Sequence, residues 1–458
     1  MKSTFSGWRY LWKSEDIRRK LIVTFAILAL YRLVANIPAP GVDFAVLAQF
    51  RASASGSGNF LDFLDLLSGG TVSNFSLLSM GVYPYITAQI ILQLLIPIIP
   101  ALQRRMEEDP REARRWQEKW TYYLAVPMAA LSAIGQINIF NSLSIQALQQ
   151  PILAFGFTAD QWLNSVTVLL AMTAGTMFAI WLGELISEYG IRGQGLSLII
   201  FAGIVSQMPS NLASLMSDAD TRVFMLLFTV VIIVLTVFAI VFVQQGRRNV
   251  PVMYPGRMGN RMSMPVKGTL PLMVNLSGMI PLIFASAILQ FPTILASYFT
   301  SSTNAGVAAF FTSVQNFFGG TGTSNWGYWT LYFFMVVVFT FFYTSVLFDQ
   351  QNYGENLKKV GATVPGVHTG PPTQKYLSTV QRRITLPGAL FLGVVAIMPF
   401  LLGLLLTLFN MGAASSQTGL FLVSSSGLLI VVGVVRDTFM NIDAELKLHG
   451  YQDSLLVR

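Results

Sequence analysis

Long apolar runs alternate along this chain with short polar stretches. The runs lie at about 21–37, 75–99, 120–137, 166–186, 196–208, 223–243, 270–294, 328–348, 384–406 and 420–435. Each reaches or approaches the ~20 residues that carry a helix across a ~30 Å hydrocarbon core. The pattern therefore predicts an all-α, polytopic membrane bundle of about ten transmembrane helices,. An even number of crossings puts both chain ends on one side. The basic, amphipathic stretch 1–20 leads into the first run with no small-residue cleavage site, so that run reads as a retained span,.

Ten spans divide into two blocks of five, about 21–209 and 210–440, followed by a tail at 441–458. An odd number per block makes the second enter the membrane from the opposite side, giving two inverted halves of the kind that line a central pathway. Two spans depart from a plain apolar helix. The run 196–208 is short, follows the glycine-rich stretch from Gly190 to Gly195, and is expected to end before Pro209. The run 270–294 carries Pro271, Pro281, Pro292 and the polar Asn275, which suits a helix packed inside the bundle,. Between the first two runs, Phe60, Leu61, Phe63, Leu64 and Leu67 mark a short amphipathic helix over 60–67, too short to span and stopped by Ser68-Gly69-Gly70,.

Composition agrees with this pattern. Of 458 residues, 53% are hydrophobic and 11% charged, with a mean hydropathy of +0.59, well below the ~25% charged residues of a soluble domain. Charge then orients the bundle. Of 29 Lys and Arg residues, 26 fall in the two terminal stretches and in the alternate loops on one side; the others are Arg32, Arg51 and Arg222. The positive-inside rule makes that side, and both termini, cytoplasmic. The basic residues concentrate in two long loops, 245–268 with Arg247, Arg248, Arg257, Arg261 and Lys267, and 349–383 with Lys358, Lys359, Lys375, Arg382 and Arg383. Such loops bind anionic partners such as RNA phosphates by salt-dependent attraction.

Catalytic chemistry has little to stand on. The chain has no cysteine, and its two histidines, His368 and His449, are far apart. The glycines from Gly190 to Gly195 lack the Gly-Lys-Ser/Thr ending of a phosphate loop,. A secondary transporter is the alternative that ten spans with inverted halves leave open, but its coupling site needs ionisable groups at mid-membrane. Here the acidic residues fall in loops or near span ends, as Glu184 does, and Arg32 is the basic residue within a span.

Three stretches resemble the SecY family. They are Ser68-Gly-Gly70 with Phe75-Ser-Leu-Leu-Ser-Met-Gly-Val-Tyr-Pro-Tyr-Ile-Thr-Ala-Gln-Ile90, Gly195-Leu-Ser-Leu-Ile-Ile-Phe-Ala-Gly-Ile-Val205, and Pro271-Leu-Met-Val-Asn-Leu-Ser-Gly-Met-Ile-Pro-Leu-Ile-Phe-Ala-Ser286. Phe341-Phe-Tyr-Thr344, Glu355-Asn-Leu-Lys-Lys359 and Thr385-Leu-Pro-Gly-Ala-Leu390 support the match. The resemblance implies an hourglass channel for unfolded polypeptides in the bacterial inner membrane. A ring of Ile86, Ile90, Leu196, Ile200, Ile283 and Ile430 would close it, the 60–67 helix would be its plug, and a lateral gate would open between spans two and three and spans seven and eight, with Asn275 in its lining. Ile86 and Ile90, like Leu196 and Ile200, are four apart and so share a helix face. Branched aliphatics offer an ion no replacement for its hydration shell, so such a collar can dewet and block ions.

The resemblance further implies SecE-like and SecG-like small membrane subunits, the motor ATPase SecA, the ribosome, a signal sequence and surrounding lipid as partners, and no cofactor. Two positions depart from the family. Its Pro-Gly-Ile-Arg-Pro-Gly becomes Pro365-Gly-Val-His-Thr-Gly370, so His368 puts an imidazole where a fixed guanidinium is usual,. The tenth span reads Ser424-Ser-Ser-Gly-Leu-Leu-Ile430 in place of Gly-Gly-Thr-Ser-Leu-Leu-Ile.

Overall fold

A computed structural model describes residues 15–43, 45–49, 75–108, 110–153, 155–156, 161–191, 193–215, 222–255, 257–258, 261–262, 266–299, 305–319, 325–408 and 418–448. The first half holds α1 (Glu15–Ala35), α2 (Tyr83–Ile98), α3 (Pro100–Glu108), α4 (Pro110–Leu148), α5 (Trp162–Tyr189) and α6 (Gly195–Leu215). The second half opens with α7 (Arg222–Gln245) and a hairpin of β1 (Arg247–Tyr254) and β4 (Val266–Met273), between which lie β2 (Arg257–Met258) and β3 (Arg261–Met262). It continues with α8 (Ile280–Phe299), α9 (Ala305–Gly319), α10 (Trp326–Gln351), α11 (Tyr353–Val360), α12 (Pro371–Ala396), α13 (Met398–Leu408) and α14 (Thr418–Leu448).

Each of the ten predicted spans falls on one of these helices, and the ninth is shared between α12 and α13. Among the described residues, four helical segments are individually long and apolar enough to cross a membrane, and α2, α6 and α8 contain shorter apolar stretches. The surface is correspondingly greasy. Phe238 and Phe242 of α7, each 72% exposed, form a stacked pair on its outer face.

Three boundaries differ from the hydropathy reading. The seventh span starts at Ile280, because 266–273 pairs as an antiparallel strand with 247–254 and its apolar residues face a core shared with α11 and with one end of α10 and α12. Helix α6 runs through Pro209 to Leu215; an interior proline removes one hydrogen bond and bends a helix without having to end it. The second run begins with a compact turn over 75–82, in which Phe75 and Gly81 adopt positive φ of 44° and 53°. Pro84, in the first turn of α2, then starts the helix where its missing N–H costs nothing,.

That turn is pinned to the end of α1. The Ala39 N–H donates to the Phe75 carbonyl at 2.9 Å, and the Leu77 N–H to the Ile37 carbonyl at 3.0 Å. It also sits against Gly175 of α5, where a Cβ would collide with the Leu77 carbonyl. The two halves then meet along two seams. In one, α6 packs on α14 and α7; in the other, α2 and α4 pack on α8.

Candidate translocation pore and gate

The inner face of α6 is set by two glycines. A Cβ on Gly195 would strike the Gly183 carbonyl of α5, and one on Gly183 would stand 2.8 Å from the Leu196 side chain. Glycine at both positions lets the two backbones touch, as small residues do between membrane helices. The contact seats the Leu196 and Ile199 side chains against α5. Ile200 (8% exposed) and Ile430 of α14 (2%) belong to one apolar cluster that runs from α1 and α5 to α14, against which Ile86 of α2 and Leu196 pack. Ile86 also borders a second cluster, where Ile90 meets Phe284 and Ala287 of α8 and Tyr343 of α10. Ile283 is buried on α8 beside Phe284.

The predicted ring residues thus all lie on helices that converge between the halves, and four of them share one cluster. The plug candidates Phe60, Leu61, Phe63, Leu64 and Leu67 lie outside the described residues. Asn275 lies ahead of α8 and not within it. Its amide donates to the Gly278 carbonyl (3.1 Å) and its oxygen accepts from the Ser277 hydroxyl (3.1 Å), so it shapes the turn from which α8 emerges.

The seam between α2/α4 and α8/α10 is closed but unevenly polar. The Tyr83 hydroxyl of α2 donates to the Ala287 carbonyl of α8 at 3.3 Å, Gln93 of α2 hydrogen-bonds the Tyr343 hydroxyl of α10, and Tyr298 of α8 donates to the Leu131 carbonyl of α4 at 2.9 Å. Gly135 of α4 lies against Ile294 of α8. Next to these contacts, Gln136, Gln290 and Thr293 are all at least 95% buried. Among the described residues, both amide atoms of Gln136, the Gln290 nitrogen and the Thr293 hydroxyl lack hydrogen-bond partners. A buried polar group without a partner costs about 1–3 kcal/mol, so this contact holds less firmly than an apolar one. Sequence reasoning singled out none of these residues; amides inside apolar runs were the available signal.

The two basic loops, predicted separately, form one module. The Met253 N–H donates to the Thr363 carbonyl and the Thr363 N–H to the Met253 carbonyl, both at 2.8 Å. Val250, Val252, Leu272, Leu357, Val364, Leu377 and Val380 supply a shared apolar core. The eight-residue β1 and β4 reach about 26 Å beyond α7 at ~3.3 Å per residue,. Arg247 and Arg248 are exposed at its base, and Arg257 and Arg261 lie across from Met262 and Met258 at its far end. Lys358 and Lys359 are exposed on α11, which Gly361 closes in the left-handed conformation (φ 73°),. Lys359 makes a loose surface pair with Glu355 at 3.7 Å. Exposed His368 is held through its carbonyl, which accepts from the Thr373 hydroxyl at 2.6 Å.

A two-part helical bundle with an apolar junction at its centre, a weak seam on one side and a basic module at one end has the architecture of a membrane channel. The SecY family model matches residues 76–439. The chain is 36% identical over 454 residues to the protein translocase subunit SecY of Mycobacterium bovis, covering 97% of this chain and 98% of that one. It is 34% identical over 446 residues to the Streptomyces scabiei protein of the same name, with the same coverage of both. This chain belongs to the SecY family. Two solved structures share its fold at 16% identity, one described as a protein-conducting channel (TM-score 0.60) and one as a SecY protein whose plug domain stabilises the closed state (TM-score 0.62), each covering 96% of this chain and 95% of that one.

Proposed function

We propose that this chain is the pore-forming subunit of a protein translocase, moving unfolded polypeptides across the bacterial inner membrane and releasing apolar helices sideways into lipid. The observation that supports this is that Ile200 and Ile430, from α6 and α14, share one apolar cluster against which Ile86 of α2 and Leu196 pack. With Ile90 and Ile283 they form the collar that seals against ions and parts around a translocating chain. The 60–67 segment acts as plug on the extracytoplasmic side. The α2/α4–α8/α10 seam is the lateral gate, and Asn275 holds the turn about which α8 swings.

The chain supplies no energy of its own in this reading. The module of β1–β4 and α11 docks the motor SecA or the ribosome, with Arg247, Arg248, Arg257, Arg261, Lys358, Lys359 and His368 at the contact. SecE-like and SecG-like subunits cover part of the apolar outer surface, and both termini are cytoplasmic.

The cysteine-free chain makes the gate directly testable. A Cβ on Gly135 would stand 3.5 Å from the Ile294 Cβ, at the short end of disulfide geometry. Gly135→Cys with Ile294→Cys is therefore expected to cross-link on oxidation, to block preprotein transport into proteoliposomes containing the assembled complex, and to recover on reduction. Full transport with the cross-link formed would remove the gate from this seam.

A further inference from the structure

At the end of the bundle opposite the basic module, α9 bridges two spans. Its Phe311 ring stacks on Phe299 at the end of α8, with 4.6 Å between ring centroids. Its other end is tied to the start of α10, where the Asn325 amide donates to the Phe317 carbonyl at 2.7 Å and the Phe317 ring lies against Gly327. The 15 residues of α9 include no charged side chain, and their exposure divides them into three faces at helical spacing. Ala308, Phe311, Gln315 and Phe318 are half-buried on the protein side. Thr312, Ser313 and Asn316 form an exposed polar face, whose two hydroxyls donate to the Ala308 and Ala309 carbonyls at 2.7 and 2.9 Å. Val307 (38% exposed), Phe310 (63%) and Phe317 (40%) form a third face, apolar and also exposed.

The neighbouring spans say what covers that third face. On α8 the exposed residues Phe291, Leu295 and Phe299 are four apart, so they form an outward stripe that climbs to the point where α9 is attached. Exposed Trp326 stands at the start of α10, the position of an aromatic residue at a membrane boundary. The apolar face of α9 thus continues a surface that lipid already has to cover. A helix with one apolar and one polar face at that depth lies in the plane of the interface. Without charge it attracts no headgroup electrostatically, so its insertion rests on apolar area alone and needs no anionic lipid.

We infer that α9 is a membrane-surface anchor. Val307, Phe310 and Phe317 insert at the boundary between headgroups and acyl chains, while Thr312, Ser313 and Asn316 face water. Because Phe311 and Asn325 tie the helix to α8 and α10, the anchor fixes the depth at which these two helices of the proposed gate end. The inference rests on the membrane-spanning reading of α8 and α10, and its test does not involve transport, so it can fail while the channel reading stands.

The test uses the full chain, which has no cysteine of its own. Val307→Cys and Phe310→Cys report on the apolar face and Thr312→Cys and Ser313→Cys on the polar face, two positions each so that no single substitution decides the result. Each protein is labelled with an NBD iodoacetamide and set in dioleoylphosphatidylcholine nanodiscs, which are open to water on both sides. The quenchers are aqueous iodide and a phosphatidylcholine carrying a nitroxide near its headgroup. Labels on the apolar face should emit to the blue of those on the polar face and lose intensity to the nitroxide lipid and not to iodide. Labels on the polar face should show the reverse. Phe334→Cys, exposed on α10, serves as the reference for a span and should be quenched by a nitroxide near the middle of the lipid chain. A quenched reference with iodide-accessible labels on the apolar face would overturn the anchor alone, whereas an unquenched reference would overturn the spanning reading and the anchor with it. Labels on the apolar face that neither quencher reaches would mean that protein covers it, a second copy or another subunit, and would also overturn the anchor.

Discussion

An isoleucine carries no chemistry of its own, so a seal built from isoleucines works by geometry. Ile430 and Ile200 are almost wholly buried by residues from other helices, and Ile86 touches two clusters at once. A polar side chain at such a position gives water a partner where it had none, and the constriction wets. Replacing Ile86 or Ile283 with Asn should raise the resting ion conductance of the reconstituted channel in planar bilayers, and an unchanged conductance would take that residue out of the collar. Helical spacing already placed Ile86 with Ile90 and Leu196 with Ile200. That Leu196 lies against α5 depends on Gly183 and Gly195, whose bare backbones let α6 close on it. Asn275 shows the opposite case. A polar residue in an apolar run suited a helix packed inside the bundle, but β4 had already claimed the residues before it, leaving Asn275 in a turn that consumes both of its amide groups.

Among the helices, α8 stands out for its mixed contacts. Toward α10 it packs through Phe284, set edge-on to Tyr343 at 5.4 Å between ring centroids and to Phe339 at 6.3 Å. Toward α2 and α4 it combines apolar contacts at Ile90 and Gly135 with a few hydrogen bonds and with amides that lack partners among the described residues. The α8/α10 pair therefore moves more readily as a unit than it separates. Replacing Gln136 or Gln290 with Met, similar in shape but without the amide, removes a penalty of about 1–3 kcal/mol from the closed seam. Such variants should open more slowly under a signal sequence, by about tenfold per 1.4 kcal/mol, read as faster cross-linking between Gly135→Cys and Ile294→Cys. Unchanged cross-linking would mean that the amides find partners in the closed state. The helix itself was legible as an apolar run, but its neighbours were not, since the residues in contact lie more than 150 positions apart, as Leu131 and Tyr298 do.

Taken whole, the molecule carries a net charge of +8 spread very unevenly. Five of its basic residues fall in the hairpin segment 247–267, with Arg257 and Arg261 in the short β2/β3 pair between β1 and β4. Neutralising both with Gln should weaken ribosome or motor binding at low salt far more than at high salt, and should lower the slope of log affinity against log salt for ribosomes by about 2. Equal losses at all salt concentrations would point to damage in the shared core around Val252 and Leu377. The bridge from Met253 to Thr363 couples the hairpin to α11, so a partner pressing on the hairpin also pushes on the lower ends of α10 and α12. This supplies a physical path from docking surface to gate helix, because α10 packs directly on α8.

Hydropathy alone was enough for the helical class and for which segments join the bundle, because a bilayer makes each span satisfy its own backbone and bury a fixed length of apolar chain. These are local demands, legible in a window of some twenty residues. The start of α8, the union of the two basic loops and the unpaired amides of the seam are not local. They depend on which distant segment arrives opposite: β1 against β4, Thr363 against Met253, α4 against α8. Apolar side chains are compatible with lipid and with one another alike, so hydrophobicity says that Ile86 and Ile430 belong in the membrane and leaves open that they meet. They share a cluster because α14 packs on α6, and the close approaches at Gly175, Gly183 and Gly195 shape the first half that receives it.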